Sequence, residues 1–176
     1  SMEQSKSIDL SVIIVSYNVK HFLHLCLESV YAAINNFNAE IIVIDNASAD
    51  NSVEMIRKKF PSTRVISNVD NLGFGKANNK AAKLAKGRYV CFLNPDTIVS
   101  QKTFEKFIQL HELNPTIGIS GPQMIDGTGQ FLLESKRGLP TIKAAVFKSL
   151  GLFRLSERFF GQYYNLSLPQ NQNGKT

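Results

Sequence analysis

The chain has 176 residues, of which 43% are hydrophobic and 19% are charged. These are the proportions of a globular domain with a buried core, and they exclude a largely disordered chain. The net charge of +6 is scattered along the sequence, whereas proteins that bind nucleic acid concentrate basic residues in a stripe with interleaved aromatic side chains. We therefore expect no nucleic-acid partner; a mild positive charge suits a phosphorylated ligand or an anionic membrane surface.

The sequence predicts neither a membrane span nor a leader. Its apolar runs fall short of the roughly 18 to 20 residues that cross a bilayer, and no signal peptide precedes the first predicted strand. We therefore expect a cytoplasmic protein. Cys26 and Cys91 lie in apolar stretches without CxxC spacing or a paired histidine, which predicts buried reduced thiols instead of a disulfide or a metal site.

Strands and helices are predicted to alternate along residues 10–122, which we expect to form the core of the fold. Short apolar runs bounded by turn residues predict strands, and apolar residues three or four positions apart predict helices. Such alternation is typical of a parallel sheet with helices on both faces. In chain order the predicted elements are strand 12–15, helix 20–36, strand 41–44, a helix that ends before residue 61, strand 65–67, helix 76–86, strand 89–93, helix 100–113 and strand 117–120.

Residue types at the predicted helix ends indicate where each helix begins and stops. We expect Asp50 or Ser48 to cap the second helix. Gly87 is expected to close the third helix, and Ser100 to cap the fourth. The apolar face predicted for the first helix consists of Phe22, Cys26, Val30, Ala33 and Ile34.

The two ends of the chain differ from this core. Residues 1–9 are a tail that starts with a cloning remnant, Ser1. Residues 123–166 are predicted to hold a hairpin with a tight turn at 126–129, followed by amphipathic helices within 141–160. Residues 167–176 are polar and predicted to be frayed.

Three of the predicted strands end in polar residues. The first runs into Ser16, Tyr17 and Asn18, the second into Asp45, and the fourth into the triplet 94–96. Open α/β sheets bind ligands at the carboxyl ends of their strands, so these residues are expected to share one site. Tyr17 offers an aromatic face to a base, and Asp45 can accept a hydrogen bond from a pyrimidine imide or a ribose hydroxyl. A carboxylate in the triplet, Asp96, can hold a divalent cation against a diphosphate.

Several other nucleotide and hydrolase sites are excluded by missing motifs. The first strand is not followed by GxGxxG, and the chain contains no Walker A sequence and no GxSxG nucleophile elbow. His21, His24 and His111 all fall on predicted helices, where we expect helix-face roles. Because these phosphate-binding motifs are missing, a divalent cation at Asp96 would take over the role of a phosphate-binding loop.

Four segments resemble the N-terminal half of the family 2 glycosyltransferases with the GT-A fold, especially their rhamnosyltransferase-like branch. They read SVIIVSYN, IIVIDNASADNS, NLGFGKANN and YVCFLNPDT. The resemblance covers roughly residues 10–140 and is carried by the four motifs together. It implies an α/β, Rossmann-like GT-A fold of the nucleotide-diphospho-sugar transferases, with a mostly parallel sheet flanked by helices and truncated in this chain.

The resemblance also implies a role for single residues. The residues after the first strand would wrap the base and ribose, and Asp45 would hydrogen-bond the base. The NLGFG loop and the start of the next helix would border the donor pocket. Asn94 and Asp96 would occupy the outer positions of the DxD motif; because Asn94 is neutral, Asp96 would be the principal ligand of Mg2+ or Mn2+. The donor-binding positions are Ser16, Tyr17, Asn18, Asp45, Asn71, Gly73, Asn78, Asn94 and Asp96, of which the last two would hold the metal.

The activity that the resemblance implies is a metal-assisted, inverting sugar transfer in cell-wall or polysaccharide biosynthesis. The donor would be a UDP- or dTDP-linked sugar, and the acceptor a saccharide or a lipid-linked molecule. An inverting transfer needs a general base for the acceptor hydroxyl. Asp126, Glu134 and Glu157 are isolated and are not assigned this role. We therefore expect these 176 residues to be the donor-binding part of a longer enzyme and to transfer little sugar alone.

Other interpretations stay open. A non-catalytic nucleotide-sugar-binding module would keep the pocket without a base, and a sugar-phosphate nucleotidyltransferase would need a Gly-rich loop with an arginine after the first strand. Asp45 could merely cap a helix, Tyr17 could be a rim aromatic, 94–96 could be only a turn, and the glycines of 71–75 could serve backbone geometry alone. Residues 141–160 are predicted to pack toward the core or the acceptor side. A peripheral helix at the inner membrane surface is the alternative, and its basic residues would be Lys143, Lys148, Arg154 and Arg158.

Overall fold

A parallel four-stranded sheet with helices on both faces organises residues 7–121, which are the part of the chain that the computed structural model describes. This architecture confirms the predicted α/β class. The elements all lie in one of the two units into which the chain divides, Ser1–Ile117. In chain order they are β1 (Leu10–Ser16), α1 (Lys20–Ala33), β2 (Ala39–Asp45), α2 (Ser52–Lys59), β3 (Arg64–Ser67), α3 (Phe74–Ala82), β4 (Tyr89–Leu93) and α4 (Thr103–Leu113).

The strand order places the polar strand ends side by side. It is β3-β2-β1-β4, and every pair is parallel. Ser16 stands in register with Asp45, and Asp45 with Ser67. Ile14 stands in register with Leu93. The residues that follow β1, β2 and β4 therefore emerge at one edge of the sheet, as the sequence predicted.

Helices cover both faces of the two central strands, which explains their continuous apolar sequences. On one face, Val12 and Ile14 pack against apolar residues of α1, α2 and α4. On the other, Ile13 and Val15 pack against α3. Small residues at the contact with α3 let that helix lie close to the sheet; they are Ala77 and Ala81, both fully buried.

Several predicted helix boundaries are wrong. The buried face of α1 is formed by Leu23, Cys26, Leu27, Val30 and Ala33, whereas Phe22 is 55% exposed. The helix α3 begins two residues earlier than predicted and ends at Ala82, so Gly87 does not close it. The helix α4 begins only at Thr103, because Ser100 bonds the Thr103 hydroxyl and does not cap a helix amide with its side chain.

The prediction of a strand at 117–120 is also wrong. These residues form neither strand nor helix, and Ile119 is 94% exposed. The chain turns directly after α4, where the N–H of Ile117 donates to the carbonyl of Asn114 at 3.0 Å. Gly118 weakens any strand here because it offers no side chain to pack. The predicted hairpin, the helices within 141–160 and both tails except residues 7–9 lie outside the described residues.

Both cysteines are free, as predicted. Cys26 is buried in the core, and Cys91 is partly buried. Burial raises the pKa of Cys26 to about 12, with a further contribution from the nearby Asp96 carboxylate. Burial alone raises the pKa of Cys91 to about 11. Both side chains are therefore neutral thiols at physiological pH. Within the part of the chain that the structure describes, no helix is long and apolar enough to cross a membrane.

Gly87 permits a close approach at the opposite, amino-terminal edge of the sheet. A Cβ at this position would lie 2.4 Å from the backbone nitrogen of Ser11. We expect Gly87→Ala to lower the free energy of unfolding by about 3 kcal/mol, because the backbone of a central strand cannot yield. Urea denaturation measures this. The matched control is Gly75→Ala, whose Cβ would meet nothing within 4 Å; equal effects of the two changes would contradict the prediction.

Candidate functional site

Two buried polar atoms without partners mark the centre of the carboxyl edge. Within residues 7–121, the hydroxyl of Ser16 and the Oδ1 of Asp45 are both inaccessible to solvent and have no hydrogen-bond partner. The two residues end adjacent strands and stand in register. A buried polar group without a partner costs about 1–3 kcal/mol, so such groups call for an explanation. A ligand that supplied hydrogen bonds to both atoms would remove this cost.

The other oxygen of Asp45 is already in use. Its Oδ2 accepts the backbone N–H of Ser48 at 3.0 Å, which is the local turn that the plainer interpretation of Asp45 predicted. The bond fixes the orientation of the carboxylate and leaves Oδ1 as the oxygen that faces no partner. The structural turn therefore uses one oxygen of Asp45, and a ligand would bind the other.

The loops after β1 and β2 are fastened to each other by three hydrogen bonds. The N–H of Asn18 donates to the Ser48 hydroxyl at 3.0 Å, and the N–H of Ala49 donates to Asn18 Oδ1 at 2.8 Å. The third joins the N–H of Lys20, where the loop after β1 passes into α1, to Asp50 Oδ2 at 2.8 Å. Asn18 was predicted to contact the donor. Its backbone N–H and its side-chain oxygen form hydrogen bonds that hold the two loops together.

This fastening holds the backbone in conformations that are uncommon for residues with side chains. Asn18, Ala47 and Asn51 have φ angles of 52°, 64° and 61°. Asparagine tolerates this region, whereas alanine rarely adopts it, and such strain collects at functional sites. The strained segment directly follows Asp45, which is consistent with a loop shaped for a ligand.

Asp50 serves both helices that start at this edge. Besides the N–H of Lys20 in α1, it accepts the N–H and the hydroxyl of Ser52 in α2. The cap expected for α2 is thus present, although Asn51 occupies the formal cap position. Partial burial by itself raises the pKa of Asp50, but the hydrogen bonds from Ser52 and Lys20 outweigh it and hold the pKa below its ordinary value.

Tyr17 lies at the rim of the same edge. It follows Ser16 directly and is 49% exposed, so half of its surface is open to a planar partner. The loop is held on the carboxyl side of Tyr17 by the hydrogen bonds of Asn18 and Lys20. The stacking of Tyr17 on a base stays a prediction, and an exposed aromatic ring at the rim is able to make such a contact.

The NLGFG segment provides a rigid turn before α3. Asn71 Oδ1 accepts the N–H of Gly73 at 2.9 Å, and Gly73 has a φ of 75°. Asn78 was predicted at the start of the helix, but the helix begins at Phe74 and Asn78 lies in its second turn. There its Nδ2 donates to the carbonyl of Phe74 at 3.1 Å and the residue is buried. The side-chain nitrogen of Asn78 is therefore occupied within the helix.

The Asn94-Pro95-Asp96 triplet forms a turn that is tied to α1. The carbonyl of Asn94 accepts the N–H of Thr97 at 3.2 Å and the thiol of Cys26 at 3.7 Å. Because Leu93 is level with Ile14, the triplet emerges beside the residues that follow β1. Asp96 is exposed, and no hydrogen bond or salt bridge engages its carboxylate within residues 7–121.

These residues fit a divalent cation only if the ligand contributes to its coordination. Within residues 7–121 no group of three or more histidine, cysteine, aspartate or glutamate side chains could hold a metal ion. Mg2+ is commonly bound through one or two carboxylates together with substrate phosphates and water. The exposed carboxylate of Asp96 and the amide oxygen of the neighbouring Asn94 suit this second mode of binding.

Three residues at the site were missed from the sequence. Asn68 Nδ2 donates to Asn46 Oδ1 at 2.8 Å, and Lys80 Nζ donates to Asn68 Oδ1 at 2.5 Å. The two asparagines directly follow Asp45 and β3, so the polar-strand-end pattern could have found them. Lys80 lies within α3, and no local signal indicates its partner.

The sequence matches the model of the family described as Glycosyl transferase family 2 over residues 11–167. It is 36% identical over 115 residues to the minor teichoic acid biosynthesis protein GgaB of Bacillus subtilis, covering 62% of this chain and 13% of GgaB. Crystallised TarS 1-349 of S. aureus in complex with UDP-GlcNAc matches with a TM-score of 0.57 and 20% identity, covering 82% of this chain and 48% of that one.

A second solved structure has a similar fold. The mannosyltransferase PcManGT of Pyrobaculum calidifontis, in complex with GDP-Man and Mn2+, matches with a TM-score of 0.54 and 19% identity. The match covers 66% of this chain and 35% of that one. At these identities the structural matches support the fold alone, and they agree with the predicted GT-A architecture. The chain spans less than half of each of these three proteins.

Proposed function

Because the chain belongs to glycosyltransferase family 2, we propose that its sheet edge binds the nucleotide diphosphate of a sugar donor. The observation that carries the proposal is the pair of buried, unpartnered atoms on Ser16 and Asp45. The full protein then transfers the sugar of that donor to a saccharide or lipid-linked acceptor. The name of GgaB, which refers to teichoic acid biosynthesis, supports a role in making a cell-surface polymer.

The chemistry of the unpartnered atoms favours a pyrimidine base. Uracil and thymine present an N–H between two carbonyl oxygens. The N–H can donate to Asp45 Oδ1, and one carbonyl can accept from the Ser16 hydroxyl. Guanine presents two neighbouring donors, which suit both oxygens of one carboxylate, yet Asp45 Oδ2 already accepts from Ser48. UDP and dTDP are therefore the donor nucleotides that we propose, and TarS is known in complex with UDP-GlcNAc.

The diphosphate is proposed to lie against the turn after β4. Asp96, assisted by Asn94, would hold Mg2+ or Mn2+ there. A bound cation neutralises the charge that develops on the departing nucleotide diphosphate. Tyr17 stacks on the base, and the loops fastened by Asn18 keep the base and the diphosphate at a fixed separation. Asn71 and Gly73 border the pocket on its α3 side.

The transfer is proposed to be inverting, by direct attack of an acceptor hydroxyl on the anomeric carbon. Such an attack needs a carboxylate that removes the hydroxyl proton. We assign this role to no residue within 7–121: of the carboxylates at this edge, Asp45 and Asp96 are proposed to serve the donor, and Asp50 is engaged by Lys20 and Ser52. We propose that donor binding and base catalysis reside in different segments of the full enzyme, with the protein at the inner face of the membrane when its acceptor is lipid-linked.

Calorimetry with UDP, dTDP and GDP tests the proposal, first with Mn2+ and then with EDTA. We expect UDP or dTDP to bind at least about tenfold more tightly than GDP, because GDP leaves a donor unpaired at the base pocket. EDTA is expected to weaken the binding strongly. If GDP bound as tightly as UDP or more tightly, the pyrimidine site would be contradicted. If the affinity for UDP were the same with Mn2+ and with EDTA, the metal at Asp96 would be contradicted.

A further inference from the structure

A chain of side-chain hydrogen bonds connects α3 to the candidate base pocket. It runs from Lys80 through Asn68 to Asn46, at 2.5 and 2.8 Å. Each asparagine also donates its backbone N–H to a strand end. Asn46 donates to the carbonyl of Ser16 at 2.9 Å, and Asn68 donates to the carbonyl of Asp45 at 2.8 Å. This relay of Lys80, Asn68 and Asn46 is therefore attached to the two residues whose Oγ and Oδ1 atoms have no partner within residues 7–121.

The ammonium group of Lys80 determines which way both amides point. Ammonium can only donate hydrogen bonds, so the atom of Asn68 that faces it must be the oxygen. The nitrogen of Asn68 then faces Asn46, and the oxygen of Asn46 must accept it. Without Lys80, either amide could rotate by half a turn and exchange donor for acceptor. One charged group thus sets the polarity of the whole relay.

The two asparagines of the relay are buried, so an amide with its donor and acceptor exchanged would lower stability. Asn46 is 2% exposed and Asn68 is 9% exposed, whereas Lys80 reaches the relay from an exposed helix position. A hydrogen bond from a charged donor is roughly twice as strong as a neutral one. An amide that is buried with its donor and acceptor exchanged loses a bond and leaves polar atoms unpaired.

We propose that Lys80 is a positioning residue for the base pocket. By setting the orientation of Asn68 and Asn46, it holds the ends of β1 and β2 at the separation that presents Ser16 Oγ and Asp45 Oδ1 to one pyrimidine edge. Lys80 itself does not touch the nucleotide. This inference rests on the proposed function, since it assigns a residue to the same pocket.

The test compares Lys80→Met with Lys80→Arg and with Lys83→Met. Lys83 is an exposed residue at the end of the same helix. We expect Lys80→Met to weaken Mn2+-dependent UDP binding about tenfold, as the loss of one charge-assisted hydrogen bond implies. Lys80→Arg, which can still donate, should stay within about threefold of the unchanged protein, and Lys83→Met should bind as the unchanged protein does.

Two further readouts separate positioning from other roles. Inorganic pyrophosphate with Mn2+ should bind equally well to the Lys80→Met variant, because the turn at Asp96 is outside the relay. Hydrogen exchange without nucleotide should become about tenfold faster at the backbone N–H groups of Asn46 and Asn68. Equal loss of pyrophosphate binding would show direct phosphate contact and overturn the inference.

The outcomes also distinguish this inference from the proposed function. If the unchanged protein binds UDP and Lys80→Met binds it equally well, the inference is overturned and the proposed function stands. If the unchanged protein binds no UDP, the proposed function fails and the inference fails with it. Unchanged exchange at Asn46 and Asn68 in Lys80→Met would contradict the relay whether or not nucleotide binds.

Discussion

Asp96→Asn is expected to weaken UDP binding in the presence of Mn2+ by about 100-fold. The change replaces one oxygen of an exposed carboxylate with nitrogen and keeps the size of the side chain, so the turn after β4 should persist. It removes the negative charge that holds the cation against the diphosphate. Calorimetry of the purified chain with UDP and Mn2+ measures the effect.

The neighbouring position supplies the control for this prediction. Asn94→Ala removes a neutral oxygen and should weaken binding by less than about fivefold, because a neutral ligand contributes less to a divalent cation than a carboxylate does. In EDTA all three proteins should bind UDP with the same low affinity. Mn2+-dependent binding that survives Asp96→Asn would place the cation elsewhere.

Asp45→Asn is expected to exchange the base preference of the pocket. The asparagine oxygen can take the position of Oδ2 and accept the N–H of Ser48, which keeps the loop as it is. The amide nitrogen then takes the position of Oδ1 and presents a donor where a carboxylate oxygen stood. UDP binding should fall about 30-fold or more, since two donors now face each other. CDP should gain, because cytosine has an acceptor at the same ring position.

Pyrophosphate is the control ligand for Asp45→Asn. Its Mn2+-dependent affinity should not change, because Asp45 and the turn after β4 contact opposite ends of the nucleotide in the proposed complex. A variant that still prefers UDP over CDP by the original factor would contradict a role of Asp45 in reading the base. A parallel loss of pyrophosphate binding would indicate a collapsed loop instead.

The positions of the central strands and of the polar strand ends could be predicted from the sequence. The runs 12–15 and 41–44 are apolar at every position, which is typical of strands buried on both faces, and each passes directly into polar residues. Parallel pairing then brings Ser16, Asp45 and the triplet after β4 to one edge. Local sequence sufficed because a strand buried on both faces is apolar at every position, and alternating strands and helices favour parallel pairing.

Features that depend on contacts between distant segments could not be predicted. The sequence predicted that Gly87 ends a helix. In the structure its lack of a side chain lets it lie against the backbone of Ser11, which is 76 residues earlier. Phe22 fits a helical apolar face, yet the packing of α1 buries Leu23 instead. The relay from Lys80 joins residues 12 and 22 positions apart. No periodic pattern marks such pairs.

Nuclear magnetic resonance of the labelled chain, titrated with UDP and then with Mn2+, tests the central claim most directly. UDP should shift the amide signals of Tyr17, Asn46 and Ser48. Addition of Mn2+ should then broaden the signals near Asp96 and Thr97 most strongly, since paramagnetic broadening falls with the sixth power of the distance from the ion. The contradictory result is a set of shifts elsewhere, such as the groove lined by Tyr31 and Phe60, with Mn2+ broadening that does not centre on Asp96.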